Sequence, residues 1–265
     1  MVDFTPFVFE KTVLFFNHNG EVVSSVLNFS MAIVPLILVL KLQNSKQDSP
    51  VINKITNSVI GMNLSFALRF IVSGIDTMIL SMSNGNLNLL AAWEYVPWLG
   101  VFYYTIFQIQ GLISVPKLRE WRINRVIALI VSTMIILSAV SIINILQLSN
   151  LILLTGSLSI ILVMGPVIYY LYREKAENKS LLMKARIDLT IKGWWMIVLF
   201  LVLTVGFLGY YLTIPTEILL NPIYIILYTL IPGISILSAC FFFYWSLILP
   251  EFMRRKYDIL PPKSL

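Results

Sequence analysis

Long apolar runs, broken by short polar stretches, set the plan of this chain. Seven runs stand out, at residues 22–42, 56–80, 91–115, 126–148, 151–172, 194–213 and 222–249. Each is near the length of about 20 mostly apolar residues that crosses a bilayer as a helix. The expected fold is therefore an all-α integral membrane protein, a seven-transmembrane-helix bundle spanning 22–249. The fourth and fifth runs are joined only by Ser149 and Asn150, which predicts a tight antiparallel pair. Residues 1–21 mix aromatics with Asp3, Glu10, Lys11 and His18 and begin acidic, unlike a secretory signal. They read as an exterior or interfacial lead-in, and 250–265 as a short basic tail.

The distribution of basic residues predicts orientation. Lys41, Lys46 and Lys54 follow the first run, and Lys117, Arg119, Arg122 and Arg125 follow the third. Arg173, Lys175, Lys179, Lys184, Arg186 and Lys192 follow the fifth, and Arg254, Arg255, Lys256 and Lys263 follow the seventh. The alternate loops, 81–90, 149–150 and 214–221, hold no Lys or Arg. By the positive-inside rule the N-terminus is expected outside and the C-terminus in the cytoplasm, in a multi-pass protein of the cell membrane. Aromatic belts fit this frame: Trp93, Tyr95, Trp98, Tyr210, Tyr211 and Tyr224 at outer ends, and Trp121, Tyr169, Tyr170, Tyr172, Trp194, Trp195, Tyr244 and Trp245 at inner ends. In the long inner loop, Leu181, Leu182, Ala185 and Leu189 suggest that a flanking helix continues past the membrane.

Composition narrows the class further. The 265 residues are 58% hydrophobic and 12% charged, with a mean hydropathy of +0.86, which excludes an ordinary soluble domain. The net charge of +6 follows from the inner loops and is no nucleic-acid signature. One cysteine, Cys240, and one histidine, His18, supply neither an internal disulfide nor a familiar zinc site. No HExxH, Walker A or glycine-rich dinucleotide loop is present, so neither an enzyme nor a cofactor is expected. The seventh run has no lysine for retinal, Asn221-Pro222-Ile223-Tyr224 lies at the wrong end for a receptor NPxxY motif, and Lys117-Leu118-Arg119-Glu120-Trp121 is not a DRY motif. No three-helix repeat supports a seven-helix sugar transporter.

The chemistry that remains sits in the second run. Arg69 and Asp76 are the only charges deep in any run, and Ser58, Ser65, Arg69, Ser73 and Asp76 follow spacings of 7, 4, 4 and 3. That pattern puts them on one helical face, turned inward because charge at membrane depth is costly. Arg69 and Asp76 lie about 10 Å apart along the axis, too far for a direct bond. Counting inward from helix ends brings Tyr104 near the level of Arg69, with Gln108 one turn deeper as its partner, or a carbonyl freed near Pro232. The same count sets Asp76 level with Trp98 and with Tyr224 or Tyr228. Arg69, Asp76, Glu94, Tyr104, Gln108 and Tyr228 are thus the candidate ligand-binding set, lining an outward-facing polar cavity. The alternative is a closed hydrogen-bond network in which each group satisfies another. Pro232 and Gly233 offer a hinge in the last run, against a static bend.

Residues Leu249-Pro250-Glu251-Phe252-Met253-Arg254-Arg255-Lys256 and the start Trp93-Glu94-Tyr95 with its aromatic run to Phe107 carry a resemblance. With seven spans and short outer loops, the chain resembles the seven-transmembrane sensor modules that precede prokaryotic histidine kinases. The resemblance implies that the helices detect an external or membrane-borne cue and that the last one passes it inward. This chain departs from the pattern at its end, where about fifteen residues follow the last run with no kinase. The expected function is a receptor-like sensor in signal transduction. Its expected partners are the lipid bilayer, a small-molecule ligand and a cytoplasmic signalling protein at the basic inner loops. No nucleic acid is expected, and a homo-oligomer is compatible with this plan. A small-solute transporter or channel, and a structural or assembly subunit of a membrane complex, are the competing expectations.

Overall fold

Apolar runs without β-branched alternation should be helices, and among the described residues the chain is all-helical with no strand. The computed structural model describes residues 18–44, 50–82, 96–145, 151–213, 222–257 and 259. Seven long helices account for most of them: α1 (His18–Gln43), α2 (Pro50–Met82), α3 (Val96–Leu112), α5 (Asn124–Ile145), α6 (Leu151–Glu177), α7 (Leu181–Thr213) and α8 (Pro222–Leu247). Two short helices, α4 (Val115–Glu120) and α9 (Glu251–Lys256), follow α3 and α8. Among these residues four stretches are long and apolar enough to cross a membrane: Glu21–Gln43, Pro50–Ile79, Leu181–Thr204 and Thr229–Leu247. Pro35, Pro166 and Pro232 lie inside continuous helices.

The helices close into a circuit. Each long helix packs on the next in order, and α8 returns to pack on α1 while also touching α2. Ser24 on α1 meets Thr229 on α8, and seven residues later Met31 meets Gly233, so α1 and α8 run parallel. The α2–α3 seam is antiparallel. Glycines allow its backbones to approach, since a Cβ on Gly61 would strike the Tyr104 ring, one on Gly100 would strike Ser65, and one on Gly111 would strike Ile55. Such close seams matter because lipid removes most of the hydrophobic drive between helices and leaves packing and hydrogen bonds to hold them.

Polar side chains turn inward among a hydrophobic core, while many large apolar ones turn outward. On α1, Glu21, Ser24, Ser25 and Asn28 are buried while Val22, Val26, Phe29, Ile33, Leu36, Ile37 and Leu40 are exposed. On α2, Ser58, Ser65 and Asp76 are buried while Leu64, Leu68, Ile75 and Met78 are exposed. Exposed apolar side chains on faces opposite the buried polar ones suit a bilayer as solvent.

Several boundaries differ from those the apolar runs suggest. The helix predicted from residue 194 begins at Leu181 and that predicted from 56 begins at Pro50, because hydropathy reports the membrane-embedded part of a helix and not its amphipathic extension. Glu21, assigned to an interfacial lead-in, is a buried residue of α1. Trp98, Trp121 and Trp194, assigned to aromatic belts, are core residues at most 5% exposed. Trp98 packs edge-on to Phe66 and tilted against Phe200, and Trp194 packs edge-on to Phe243. Trp195, Tyr169 and Tyr172 do face outward. Residues 1–17, the loops 83–95, 146–150 and 214–221, and 260–265 lie outside the described residues.

Candidate functional site

The polar stripe of α2 is buried, but its hydroxyls are largely satisfied by their own helix. Ser58 Oγ donates to the Ile55 carbonyl at 2.7 Å and Ser65 Oγ to the Gly61 carbonyl at 2.9 Å. Thr77 Oγ1 donates to the Ser73 carbonyl at 2.7 Å. This local bonding hides a hydroxyl at membrane depth without a second helix. The charged members differ: Asp76 is buried and Arg69 half-buried, and neither is without a partner.

The α2–α3 register divides the expected constellation. Ile55 faces Gly111, Gly61 faces Tyr104, and Phe66 faces Trp98. Continuing that register sets Arg69 level with Val96. Tyr104 then lies about 12 Å deeper than Arg69, and Gln108 about 18 Å deeper, at 1.5 Å per residue. Gln108 is accordingly not the partner of Arg69, and Asp76 is about 15 Å above Trp98 rather than level with it. The count from helix ends takes those ends as level, whereas the described part of α3 begins at Val96, beside Arg69 near the middle of α2. Taking as outer the end that holds Glu21 and Asp76, as the basic residues lead one to expect, Arg69 and Asp76 stay together in the outer half, while Tyr104 and Gln108 belong to the inner half. Tyr104 rests on Gly61. Gln108 is 1% exposed, and its Nε2 finds no hydrogen-bond partner among the described residues. Glu94 lies outside the described residues, and Tyr228 lies on α8 with its side chain outside them.

Pro232 and Gly233 are both buried. A Cβ on Gly233 would strike the Met31 sulfur and come within 3.6 Å of the Phe70 ring. Gly233 is therefore the point where α8 fits against α1 and α2, a packing role that holds with or without a bend.

The outer layer includes residues that the apolar pattern concealed. Glu21, Ser24, Ser25 and Asn28 fall at i, i+3, i+4 and i+7 on α1 and are each at most 6% exposed. Ser24 exchanges a hydrogen bond with Thr229 of α8, and Ser25 Oγ donates to the Gly74 carbonyl of α2 at 2.8 Å. The helical spacing was available as a signal. It was lost because an apolar run was started at Val22, which cut off the glutamate. Glu21 and Asp76 are thus two buried carboxylates in one outer third of the bundle. They do not share a face: Gly74 faces α1, and Asp76, two residues on, is turned about 200° from it.

The inner end is built differently, from long charged side chains paired across helices. Lys117 of α4 bridges Glu174 at 3.0 Å and Glu177 at 3.4 Å on α6. Trp121 lies beside them, its ring 5.2 Å from the Lys117 ammonium, stacked on Tyr170 and covered by the Arg173 guanidinium, whose carbon lies 4.3 Å from the ring centre. Tyr170 Oη also donates to the Trp121 carbonyl at 3.0 Å. Arg122 holds the turn between α4 and α5 with φ of 51°. Its N–H donates to the Arg119 carbonyl and that of Ile123 to the Leu118 carbonyl, a Schellman closure. Burial lowers the Lys117 pKa, but Glu174 and Glu177 outweigh it, so the ammonium is held above its ordinary value. The Arg173 hydrogen bond holds the Glu177 carboxyl below the usual range, with Lys117 adding to it against slight burial.

A second inner cluster centres on Asp188 of α7. It accepts from Lys175 of α6, from Lys192 one turn along at 2.7 Å, and from the Tyr257 hydroxyl just past α9. Burial, reinforced by the Asp188 carboxylate, raises the Tyr257 pKa, while Lys192 opposes it. Beneath these charges Ala185 and Leu189 pack against Leu249 and Met253, which seats α9 on α7. No sequence pattern predicts a contact between residues 69 positions apart. Among the described residues no group of acidic, His or Cys side chains could hold a metal ion.

The chain matches no family model, no curated protein and no solved structure.

Proposed function

We propose that the protein is a seven-span receptor-like sensor of the cell membrane, with its N-terminus outside. The observation that carries this reading is the reach of α8. Its outer part bonds Ser24 through Thr229 and fits Met31 and Phe70 through Gly233. Its inner end leads through Leu249 and Met253 onto α7, where Tyr257 bonds Asp188. α8 and the short α9 that follows it therefore join the outer polar layer to the inner charged layer. A cue that bound near Glu21 and Thr229, or on the other face of α2 near Asp76, with different affinity for two positions of α8 would change the inner surface. Movement about Pro232 would carry it, and a cytoplasmic signalling protein would read it at the basic inner loops. The parallel course of α1 and α8, as neighbours at the two ends of the circuit, supports an odd number of spans. Reporters fused at each end of the chain test the orientation, with the C-terminal one expected on the cytoplasmic side.

The sensor reading is tested by a spin label at the inner end, attached through Lys256→Cys in a Cys240→Ala background. Asp76→Asn and Ser24→Ala are expected to change its mobility in folded, reconstituted protein. An inner end that ignores every outer substitution overturns the reading.

A second reading, a small-solute transporter, is favoured by one observation. Thr56 Oγ1, Asn63 Oδ1 and Gln108 Nε2 are buried in the inner half and find no hydrogen-bond partner among the described residues. Buried polar atoms of this kind hold water or a polar solute. Solute or proton flux in proteoliposomes that falls with Gln108→Leu would favour it over sensing, and failure of both tests would leave an assembly role.

A further inference from the structure

Among the described residues of the charged inner end, Arg186 is a cation whose surroundings do not balance it. Arg186 of α7 is half-buried, and its Nε is buried without any hydrogen-bond partner. Among the described residues, the carboxylates of the two helices that meet there, α7 and α9, are occupied. Asp188 takes Lys175, Lys192 and Tyr257, and Glu251 takes Arg255. Burial bears hardest on the Arg186 charge, and the like charge of the Arg254 guanidinium on α9 adds to it. The packing of Ala185 and Leu189 against Leu249 and Met253 brings the two together. Arg254 Nε is held in place by the Leu249 carbonyl at 2.9 Å.

Two like charges within electrostatic reach, one of them partly desolvated, repel each other, and a partly buried charge needs a counter-charge. A folded chain spends stability to hold such a pair unless an anion sits between them. Two planar guanidiniums present forked donors that match the oxygens of a phosphate better than a point charge does. The neighbourhood also fixes depth. Phe252 is 57% exposed and its ring meets Trp245 edge-on at 5.8 Å, the aromatic surface expected at the headgroup layer.

We propose that Arg186 and Arg254 form a binding site for a phosphate-bearing anion, seated where α9 docks on α7. The shared chemistry is a phosphoryl group with free oxygens. Its source is either an anionic phospholipid headgroup or a soluble phosphate. The site is distinct from the outer polar layer and does not depend on the sensor reading. Occupancy would fasten α9 to α7, next to the Tyr257–Asp188 contact.

The test uses the full chain purified in detergent, with native mass spectrometry against phosphatidylglycerol and phosphatidylcholine of the same acyl chains. In parallel, melting is followed with inorganic phosphate and no added lipid. The expected result is a preference of about tenfold for phosphatidylglycerol, the scale of one charge-assisted contact. Arg254→Gln and Arg186→Gln abolish it, and Lys256→Gln, an exposed control on the same helix, leaves it. A rise in melting temperature with inorganic phosphate that Arg254→Gln removes, without a lipid preference, supports the site with a soluble source. Because Arg254 is exposed, its variant carries the test even where Arg186→Gln does not fold. The proposal is overturned if neither phosphate source binds, or if Arg254→Gln and Lys256→Gln lose binding equally, which is the signature of a diffuse basic surface.

Discussion

The outer and inner ends of this bundle solve the same problem, polar groups in an apolar setting, in opposite ways. The outer layer uses short side chains with little reach. Ser24, Ser25 and Thr229 bond at the places where α1, α2 and α8 come closest. The inner layer uses long ones. Lys117 and Lys175 cross between helices to carboxylates, Arg173 and Lys192 reach one turn along their own, and all four stay 25–39% exposed. The difference teaches where each layer gets its stability. Short buried bonds depend on backbone proximity and are shielded from salt. Long half-exposed pairs depend on charge and are screened by it. The outer layer can therefore respond to small shifts in helix position, while the inner layer responds to what binds at the surface.

The largest effect is expected at the seam that both layers share. Gly61→Leu should force the Tyr104 ring and α2 apart, costing about 3 kcal/mol or more. The readout is loss of monodisperse protein on size-exclusion chromatography, with partial recovery on adding Tyr104→Ala. A fully folded Gly61→Leu protein would show that the α2–α3 contact is not as close as described.

Next is Asp188→Ala, which strands two lysines and a tyrosine that converge on one carboxylate. A fully buried pair broken this way costs several kcal/mol, and the exposure of the lysines reduces this to about 2 kcal/mol. Thermal melting in detergent should show the loss at low ionic strength and a smaller loss at about 1 M salt, where the screening length falls to about 3 Å. A cost independent of salt would erase the distinction drawn between the two layers.

Ser24→Ala sharpens the other side of the comparison. Losing its bond to Thr229 should cost about 1 kcal/mol, with a coupling near 0.6 kcal/mol in a double-mutant cycle with Thr229→Val. Both values should be unchanged by salt. Strong salt dependence here would mean that nearby charge, not proximity, holds the outer layer.

The smallest effect belongs to Glu177→Gln at the inner surface. Because Arg173 and Lys117 depress the folded-state pKa of Glu177, its contribution is present above the ordinary carboxylate pKa. It is lost as pH falls through the folded value. The difference in melting between wild type and variant should be constant from neutral pH down to about 5 and vanish in stronger acid. A difference that widens on acidification contradicts the direction of that shift.

The sequence made some of this legible and hid the rest for identifiable reasons. The buried face of α2 was readable because serine and charge recur on one side of a helical period. The stripe at Glu21, Ser24, Ser25 and Asn28 has the same period, yet an apolar run drawn from Val22 removed its strongest member. Depth was misjudged between α2 and α3, since no local pattern reports how far one helix slides along another. Trp98 and Trp194 were read from composition as belt residues, although only their neighbours Phe66, Phe200 and Phe243 decide that they are core.

By itself the sequence determined the all-helical class, the apolar lengths that suit a membrane, and which face of α2 turns inward. These follow from local rules, the cost of an unpaired backbone in lipid and the angle between successive residues on a helix. Only the tertiary structure decided that Arg69 is level with Val96, that α8 closes the circuit on α1, and that Asp188 meets Tyr257. Those facts depend on where glycines let backbones touch and on contacts between residues far apart in the chain, which no window of neighbouring residues contains.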